Sequence, residues 1–373
     1  MEKLKYTRVE ECCEILDSMR IPITASDRKE GKYPYYGANG IQDYVNDYIF
    51  DDELVLLAED GGNFGSKEKP IAYRVSGKCW VNNHAHVLKP KEEIDVDYLC
   101  YSLMFYKVDG MINGATRKKL TQTAMKKMKI PLRNIVEQKK IVQQLNKIIE
   151  IREKAKKELN LLDNLIQARF VEMFGDPITN SKLLPIEKIE ERYFLKAGIT
   201  TKAEDIHDYL KDKYEIPCYG GNGIRGYVEN LSYEGCYPII GRQGALCGNV
   251  QYATGKFHAT EHAVLVSTLK NDNTMWVCYM LKLMDLYRYH TGAAQPGLAV
   301  KKLNTIDVIV ADINLQNQFA AFVHQINKSK FVIHKILYCT THNTKSIIKP
   351  RPNTKESGKI RGRETTCRRI LTF

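Results

Sequence analysis

The chain repeats itself. Residues 33–45 read YPYYGANGIQDYV and residues 216–228 read IPCYGGNGIRGYV, so Pro, Tyr, Gly, Asn, Gly, Ile, Tyr and Val coincide at a constant offset of 183. The same offset sets Ala58-Glu59-Asp60-Gly61 against Gly241-Arg242-Gln243-Gly244. Further on the offset becomes 178 and pairs His84-Ala85 with His262-Ala263, Gly114-Ala115 with Gly292-Ala293, Leu120 with Leu298 and Gln138 with Gln316. Two unrelated strand–turn–strand segments would not keep both order and spacing over more than a hundred residues. The 373 residues therefore hold one domain plan written twice, which suits the length.

Each copy is rich in Gly and Tyr, with short apolar runs at 54–58 and 237–241 that read as strands. Gly-Ala-Asn-Gly and Gly-Gly-Asn-Gly read as turns between strands. Around 98–106 and 275–287 the apolar spacing becomes helical. The expected fold class is α+β, in two tandem domains.

After Pro131 the character changes. From 135 to 174 there is no Gly and no Pro, and charged and apolar residues interleave. A 3–4 heptad stepping gives Ile141, Leu145, Ile148, Arg152, Ala155, Leu159, Leu162, Ile166, Arg169 and Met173, a coiled-coil seam broken twice by arginine. Gly175-Asp176-Pro177 stops it. Forty helical residues span about 60 Å at 1.5 Å each, the proportions of a ruler rather than of an ordinary surface helix packed on its own domain. The second copy starts the same seam at the same offset: Phe319, Val323, Ile326, Lys330, Ile333, Leu337. Thr340 and Thr344 then fall where Leu162 and Ile166 stand in the first copy, and Pro350 and Pro352 forbid a helix beyond them.

The formal net charge is +12, which points to an anionic partner. Residues 338–373 alone carry nine Lys/Arg and two Glu, so that segment is +7 and the rest is +5. The ten cysteines include no C-x-x-C pair, which argues against a zinc site, and the length argues against a disulfide framework. Residues 1–11, MEKLKYTRVEE, have no apolar signal core, and no eighteen-residue apolar stretch occurs, so the expectation is a cytoplasmic protein without a membrane span. No Walker motif and no G-x-G-x-x-G is present.

Two similar but non-identical domains on a stiff spacer suit the reading of two short stretches of duplex, with the helix fixing their separation. The framework residues match while the loops differ: Asp60-Gly61-Gly62-Asn63 against Gln243-Gly244-Ala245-Leu246. Together YPYYGANGI, Tyr44-Val45, Asn82-Asn83-His84-Ala85-His86, Gly114-Ala115-Thr116-Arg117, Ile130-Pro131-Leu132 and Glu137-Gln138 resemble a type I restriction–modification specificity subunit. The second copy answers with Tyr219-Gly220-Gly221-Asn222-Gly223-Ile224, Glu261-His262-Ala263, Gly292-Ala293-Ala294-Gln295-Pro296 and Leu315-Gln316.

The resemblance covers residues 1 to about 337 and implies two target-recognition domains, 1–133 and 176–312. They would be separated by a spacer helix at 134–175 and a shortened one at 313–338, the two helices packing as an antiparallel coiled coil. It implies double-stranded DNA as ligand. It further implies two modification subunits that supply S-adenosylmethionine-dependent adenine methylation, and an ATP-driven restriction subunit as an optional partner. The chain itself would carry no cofactor, metal or catalytic residue. Two other readings are a coiled-coil interaction protein without DNA readout and a detached recognition half of a fused restriction–methylation enzyme.

Candidate DNA contacts are Arg117, Lys118 and Lys119, in a polar loop that can meet phosphates or a guanine edge. Gln295 holds the position matching Arg117 and can pair with adenine. Arg242 and Gln243 lie beside glycines, and Arg225 lies in the second copy of the Tyr-Gly-x-Asn-Gly turn. A solvated basic loop or turn decoration is the plain alternative for each. Tyr36, Asn39, Tyr219 and Asn222 recur in both copies and so read as structural. His84, His86 and His262 have no acidic or cysteine cluster in both copies and read as core or strand-end histidines. The abrupt loss of the seam after Leu337 reads as a frame shift that replaced the helix end with a disordered basic tail, 339–373, leaving Ile141, Leu145 and Ile148 bare; a basic tail that binds DNA is the other reading.

Overall fold

The computed structural model describes residues 4–348 apart from 67, 115–116, 211–212 and 293–295, with the backbone but not the side chains of 341–348. The chain forms two compact units. One is built by the chain up to Lys154 together with the helix from Leu337, the other by Ala155–Ile336.

In the first unit the order is β1 (Lys5–Arg8), α1 (Val9–Cys12), β2 (Cys13–Ile15), β3 (Glu30–Gly37), β4 (Gly40–Val45), β5 (Phe50–Ala58), β6 (Ala72–Val81) and β7 (Ala85–Pro90). Then come α2 (Val96–Leu103), β8 (Ile112–Asn113), β9 (Lys119–Leu120), α3 (Gln122–Lys126), β10 (Lys129–Leu132) and the long α4 (Ile135–Phe174), whose residues from Ala155 belong to the second unit. The main sheet has the order β2-β7-β5-β6-β3-β4, antiparallel except where β3 meets β6. Strand β5 lies between β6 and β7, and its last five residues, from Leu54 to Ala58, are all buried, as expected of a central strand covered on both faces.

The second unit repeats this plan: β11 (Ile186–Lys188), α5 (Ile189–Arg192), β12 (Tyr193–Ala197), β13 (Ile216–Gly220), β14 (Gly223–Val228), β15 (Tyr233–Gly241), β16 (Val250–Ala259) and β17 (Ala263–Thr268). It continues through α6 (Thr274–Leu283), α7 (Val300–Asn304), β18 (Asp307–Ile309) and α8 (Ile313–Ile348). Its sheet order, β12-β17-β15-β16-β13-β14, is the same. The change of offset from 183 to 178 falls between β5 and β6, where the first unit's loop, 59–71, is longer than 242–249. Both Asn-Gly turns close strand pairs, β3–β4 and β13–β14, with Gly40 at φ +112° and Gly223 at φ +95°, a region that favours glycine.

Helix α4 begins where Asn134 accepts the Glu137 N–H at 2.9 Å, and Asp312 caps α8 in the same way through Asn314 N–H at 2.8 Å. Gly175, at φ +79°, ends α4 and returns its N–H to the Val171 carbonyl at 2.8 Å. All ten seam positions of α4 are buried or half-buried. In the second unit Phe170 and Phe174 of α4 pack edge-on against Phe319 of α8, with centroids 5.3 and 5.9 Å apart, and Trp276 of α6 closes the cluster. Lys330 of α8 pairs with Asp163 of α4. The two contacts run in opposite directions along the two helices, so the pair is antiparallel.

Two expectations are corrected. Helix α8 does not end at 338: it continues to Ile348, because no Gly or Pro interrupts the backbone before Pro350. Loss of the apolar period changes what a helix can pack on, not whether its backbone is helical. Residues 349–373 lie outside the described residues. Nor are Ile141 and Leu145 bare. Leu145 is fully buried and Ile141 nearly so, in a cluster with Val142, Tyr98 and Tyr101. The domain's own helix α2 covers the start of α4, as Trp276 and Tyr279 of α6 cover Phe319 and the start of α8. Ile148 is half-buried.

Candidate nucleic-acid interface

In the first unit two loops distant in sequence are zipped together beyond the end of β5. Asp60 bridges Lys119, Leu120 N–H donates to the Glu59 carbonyl at 2.6 Å, and Gly61 N–H donates to the Lys118 carbonyl at 3.3 Å. The hairpin β8–β9 is thereby laid along the loop that follows β5. Asn39, from the turn between β3 and β4, adds a third strut by donating its side-chain amide to the Gly61 carbonyl at 2.9 Å. This gives Asn39 the structural role expected of it.

The basic residues of the hairpin rest on acids. The Arg117 guanidinium donates to Asp60 Oδ1 at 2.9 Å, and the same oxygen lies 2.7 Å from His84 Nδ1. The Lys119 ammonium lies 3.1 Å from Glu59 Oε1, whose other oxygen receives Arg20 at 2.6 Å. Lys118 is exposed and forms no ion pair among the described residues. Beneath the loops, His86 is fully buried, with Nδ1 2.7 Å from Asp17 Oδ2 and Nε2 2.9 Å from the Leu120 carbonyl. Gln122 donates to the same Asp17 oxygen at 3.0 Å, and Val87 N–H to the other at 2.9 Å.

Burial alone would raise the Asp17 carboxyl. The hydrogen bond and charge of His86, with the Val87 and Gln122 donors, outweigh it and hold Asp17 below the usual value. Burial opposes ionisation of Glu59 too, and Arg20, His86 and Lys119 overcome it. Asp17, Glu59 and His86 offer ligand atoms within 4.8 Å of one another, the spacing of a metal site. Arg20 and Lys119 already lie against the Glu59 carboxylate, so the cluster is satisfied as an ion-pair network. Its counterparts in the second unit, Ala197, Arg242 and Val264, are not ligands of that kind.

The second unit builds the same platform with other chemistry. Gln243 bridges Gly297, Gly244 N–H donates to the Pro296 carbonyl at 3.0 Å, and Leu298 N–H donates to the Arg242 carbonyl at 2.8 Å. A Cβ on Gly241 would lie 2.2 Å from the Gly221 carbonyl oxygen, so the loops approach as closely as glycine allows. Gln243 is exposed, and Arg242 is half-buried with its Nε unpartnered. Arg225 is exposed on β14, and no hydrogen bond or ion pair among the described residues ties it to Arg242. Gln295 lies outside the described residues. Asn222 accepts from Asn249 at 2.5 Å and Tyr219 is buried against Phe257, which fits the structural reading of both.

The structure thus brings Arg117 and Lys119 onto one acidic support and sets Arg242 beside Gln243, while no hydrogen bond or ion pair among the described residues joins Arg225 to them. Sequence reasoning passed over Asp17, Arg20 and Gln122, which anchor the first platform. Nothing in their local sequence marks them.

The family model for the type I restriction modification DNA specificity domain matches residues 1–161 and 195–337. The chain belongs to that family. Its two matches correspond to the two copies of the domain plan. Among curated proteins, the EcoprrI type I restriction enzyme specificity subunit of Escherichia coli is 46% identical over 133 residues, 36% of this chain and 33% of that one. A type I restriction enzyme specificity subunit of Haemophilus influenzae is 35% identical over 144 residues, 39% and 37% of the two chains. These matches span about a third of each relative's length. The type I system S subunit of M. genitalium shares the fold, with a TM-score of 0.61 at 16% identity over 94% of this chain and 96% of that one. A chain from a structure on complex assembly and conformational transition of a type I R-M system gives 0.51 at 12% identity, over 94% and 100%.

Proposed function

We propose that the chain is the non-catalytic DNA-specificity subunit of a type I restriction–modification complex, reading a split, asymmetric duplex target with one half per unit. The observation that carries this reading is the platform built twice on one frame with different side chains on its rim: Arg117 and Lys119 over Asp60 and Glu59 in one unit, Arg242 and Gln243 in the other. A shared frame with divergent polar rims is what two readers of different sequence require, because base edges are told apart by donor and acceptor pattern.

In this reading double-stranded DNA is the ligand, and two modification subunits dock on the helices and bring S-adenosylmethionine for adenine methylation. An ATP-driven restriction subunit is a further partner, and the assembly works in the cytoplasm. This chain contributes recognition and no turnover. The test is to exchange residues 176–312 for another recognition domain and map methylated sites across a genome. One half of the target should change and the other persist. Change in both halves, or in neither, would remove the reading.

A further inference from the structure

We infer that Arg117 reads a guanine edge in the first half-site and that Asp60 is the positioning residue that makes it selective. The inference rests on the DNA-reading role proposed above. Four features support it. Arg117 is more than half exposed, yet its guanidinium is fixed at 2.9 Å on Asp60, which is itself mostly buried and held from behind by His84. The backbone beneath is Gly61 at φ +61°, and even a Cβ there would come within 3.3 Å of the Arg117 guanidinium, so the side chain lies directly over bare backbone. The hairpin that carries it is locked to the same loop by the Asp60–Lys119 bridge. Finally, the second unit has Gln243 in place of Asp60, so the cradle belongs to one unit only.

A phosphate clamp and a base reader need different things from arginine. A phosphate contact draws on net positive charge and tolerates a mobile side chain. A carboxylate beside it cancels that charge and repels the phosphate. A base reader needs donors at a fixed angle, and guanine offers the O6/N7 acceptor pair that a guanidinium fork matches. Asp60 uses one of the five N–H donors and leaves the rest oriented. Lys118, exposed and unpaired among the described residues, is the phosphate contact of the same hairpin.

The experiment uses the full chain assembled with its modification subunits and measures affinity for the mapped target, for every single-base variant of it and for random duplex, across salt concentrations. R117A should lose roughly 10- to 100-fold of discrimination at one G·C pair, with the salt slope nearly unchanged. R117K, which keeps the charge but not the fork, should fail in the same way. D60N should weaken discrimination at that same pair while raising affinity for random duplex. K118A should instead weaken all sequences alike and lower the slope by about one. If R117A lowers specific and random affinity equally and R117K restores both, Arg117 is a phosphate contact and the inference is wrong. If D60N leaves the pattern untouched, Asp60 does not position the reader. A wild-type complex with no sequence preference would overturn the proposed function together with this inference.

Discussion

Gln138 and Gln316, 178 residues apart and both fully buried, do the same work in their two units. Each accepts a backbone N–H at 2.8 Å from the residue that caps the domain helix, Asp95 in one unit and Asn273 in the other. Each then donates back to the chain just ahead of its own long helix, Gln138 to the Arg133 carbonyl at 2.8 Å and Gln316 to the Ala311 carbonyl at 3.0 Å. The third bond differs, going to the Glu93 carbonyl in the first unit and to the Asp272 carboxylate in the second. These amides fasten the start of the long helix to the recognition domain. Asp272 is held in turn by Arg192 at 2.5 and 2.7 Å.

Replacing Gln138 by leucine keeps the volume and removes the partner of three part-buried backbone groups. The expected cost is about 2–4 kcal/mol in the first unit, since each unsatisfied group costs roughly 1–3 kcal/mol and some reach water after relaxation. Hydrogen exchange at the start of α2 should accelerate while the second unit keeps its protection. Equal loss in both units would mean that the latch is not local.

The two units should respond differently to acid. In the second unit burial holds His258 below its ordinary value against the opposing pull of Glu261, and its ring is flanked by the Thr201 and Ser232 hydroxyls. A lowered folded value means that the stabilisation is complete above about pH 6.5, the unfolded value, and is lost as pH falls through the folded one. Asp17 and Glu59 in the first unit are also lowered, but from carboxylate values, so their contribution persists until roughly pH 4 and below. Acid titration followed by residue-resolved hydrogen exchange should show the second unit loosening first, and H258Q should remove that early phase. D17N should flatten the acid limb of the first unit at a cost in stability at neutral pH.

The long helix was legible because its signal is local and periodic: no Gly or Pro from 135 to 174, a 3–4 spacing, and a Gly stop that adopts φ +79°. The duplicated frame was legible because turns such as Asn39-Gly40 and Asn222-Gly223 need particular residues and so survive duplication visibly. The network of Asp17, Glu59, His86 and Gln122 was not, because its members lie up to 105 residues apart and meet only once the sheet has formed. The same holds for the cover over Ile141 and Leu145. Tyr98 and Tyr101 read as an ordinary helix face, and nothing in their spacing says which side chains they meet.

The seam predicts unequal costs along α8. Phe319 is fully buried among Phe170, Phe174 and Tyr279, so F319A should cost about 3–5 kcal/mol in the second unit. Lys330 sits in the same seam, but its partner Asp163 is half exposed, and such pairs contribute about 0–1 kcal/mol. K330M should therefore be close to neutral, or stabilising as the seam becomes continuous. Denaturant unfolding of the two variants checks this. A loss for K330M comparable to that of F319A would show that the ion pair, not the apolar seam, holds the helices together.

The last expectation concerns the spacer. The stretch from Asn146 to Lys154 is mostly exposed and follows the cluster around Leu145. Seven residues inserted there would keep the heptad phase to within about 20° and lengthen the helix by about 10 Å. The apolar clusters around Leu145 and around Phe170 lie outside the insertion, so the readers should keep their bases while the gap between half-sites grows by about three base pairs of 3.4 Å each. Four inserted residues would add about 6 Å, nearer two base pairs, but would turn the helix by about 40° and put the seam out of phase. The seven-residue variant should therefore retain more methylation than the four-residue one. Mapping methylated sites in cells carrying each variant reads both effects at once. An unchanged gap with full activity would show that α4 does not set the separation.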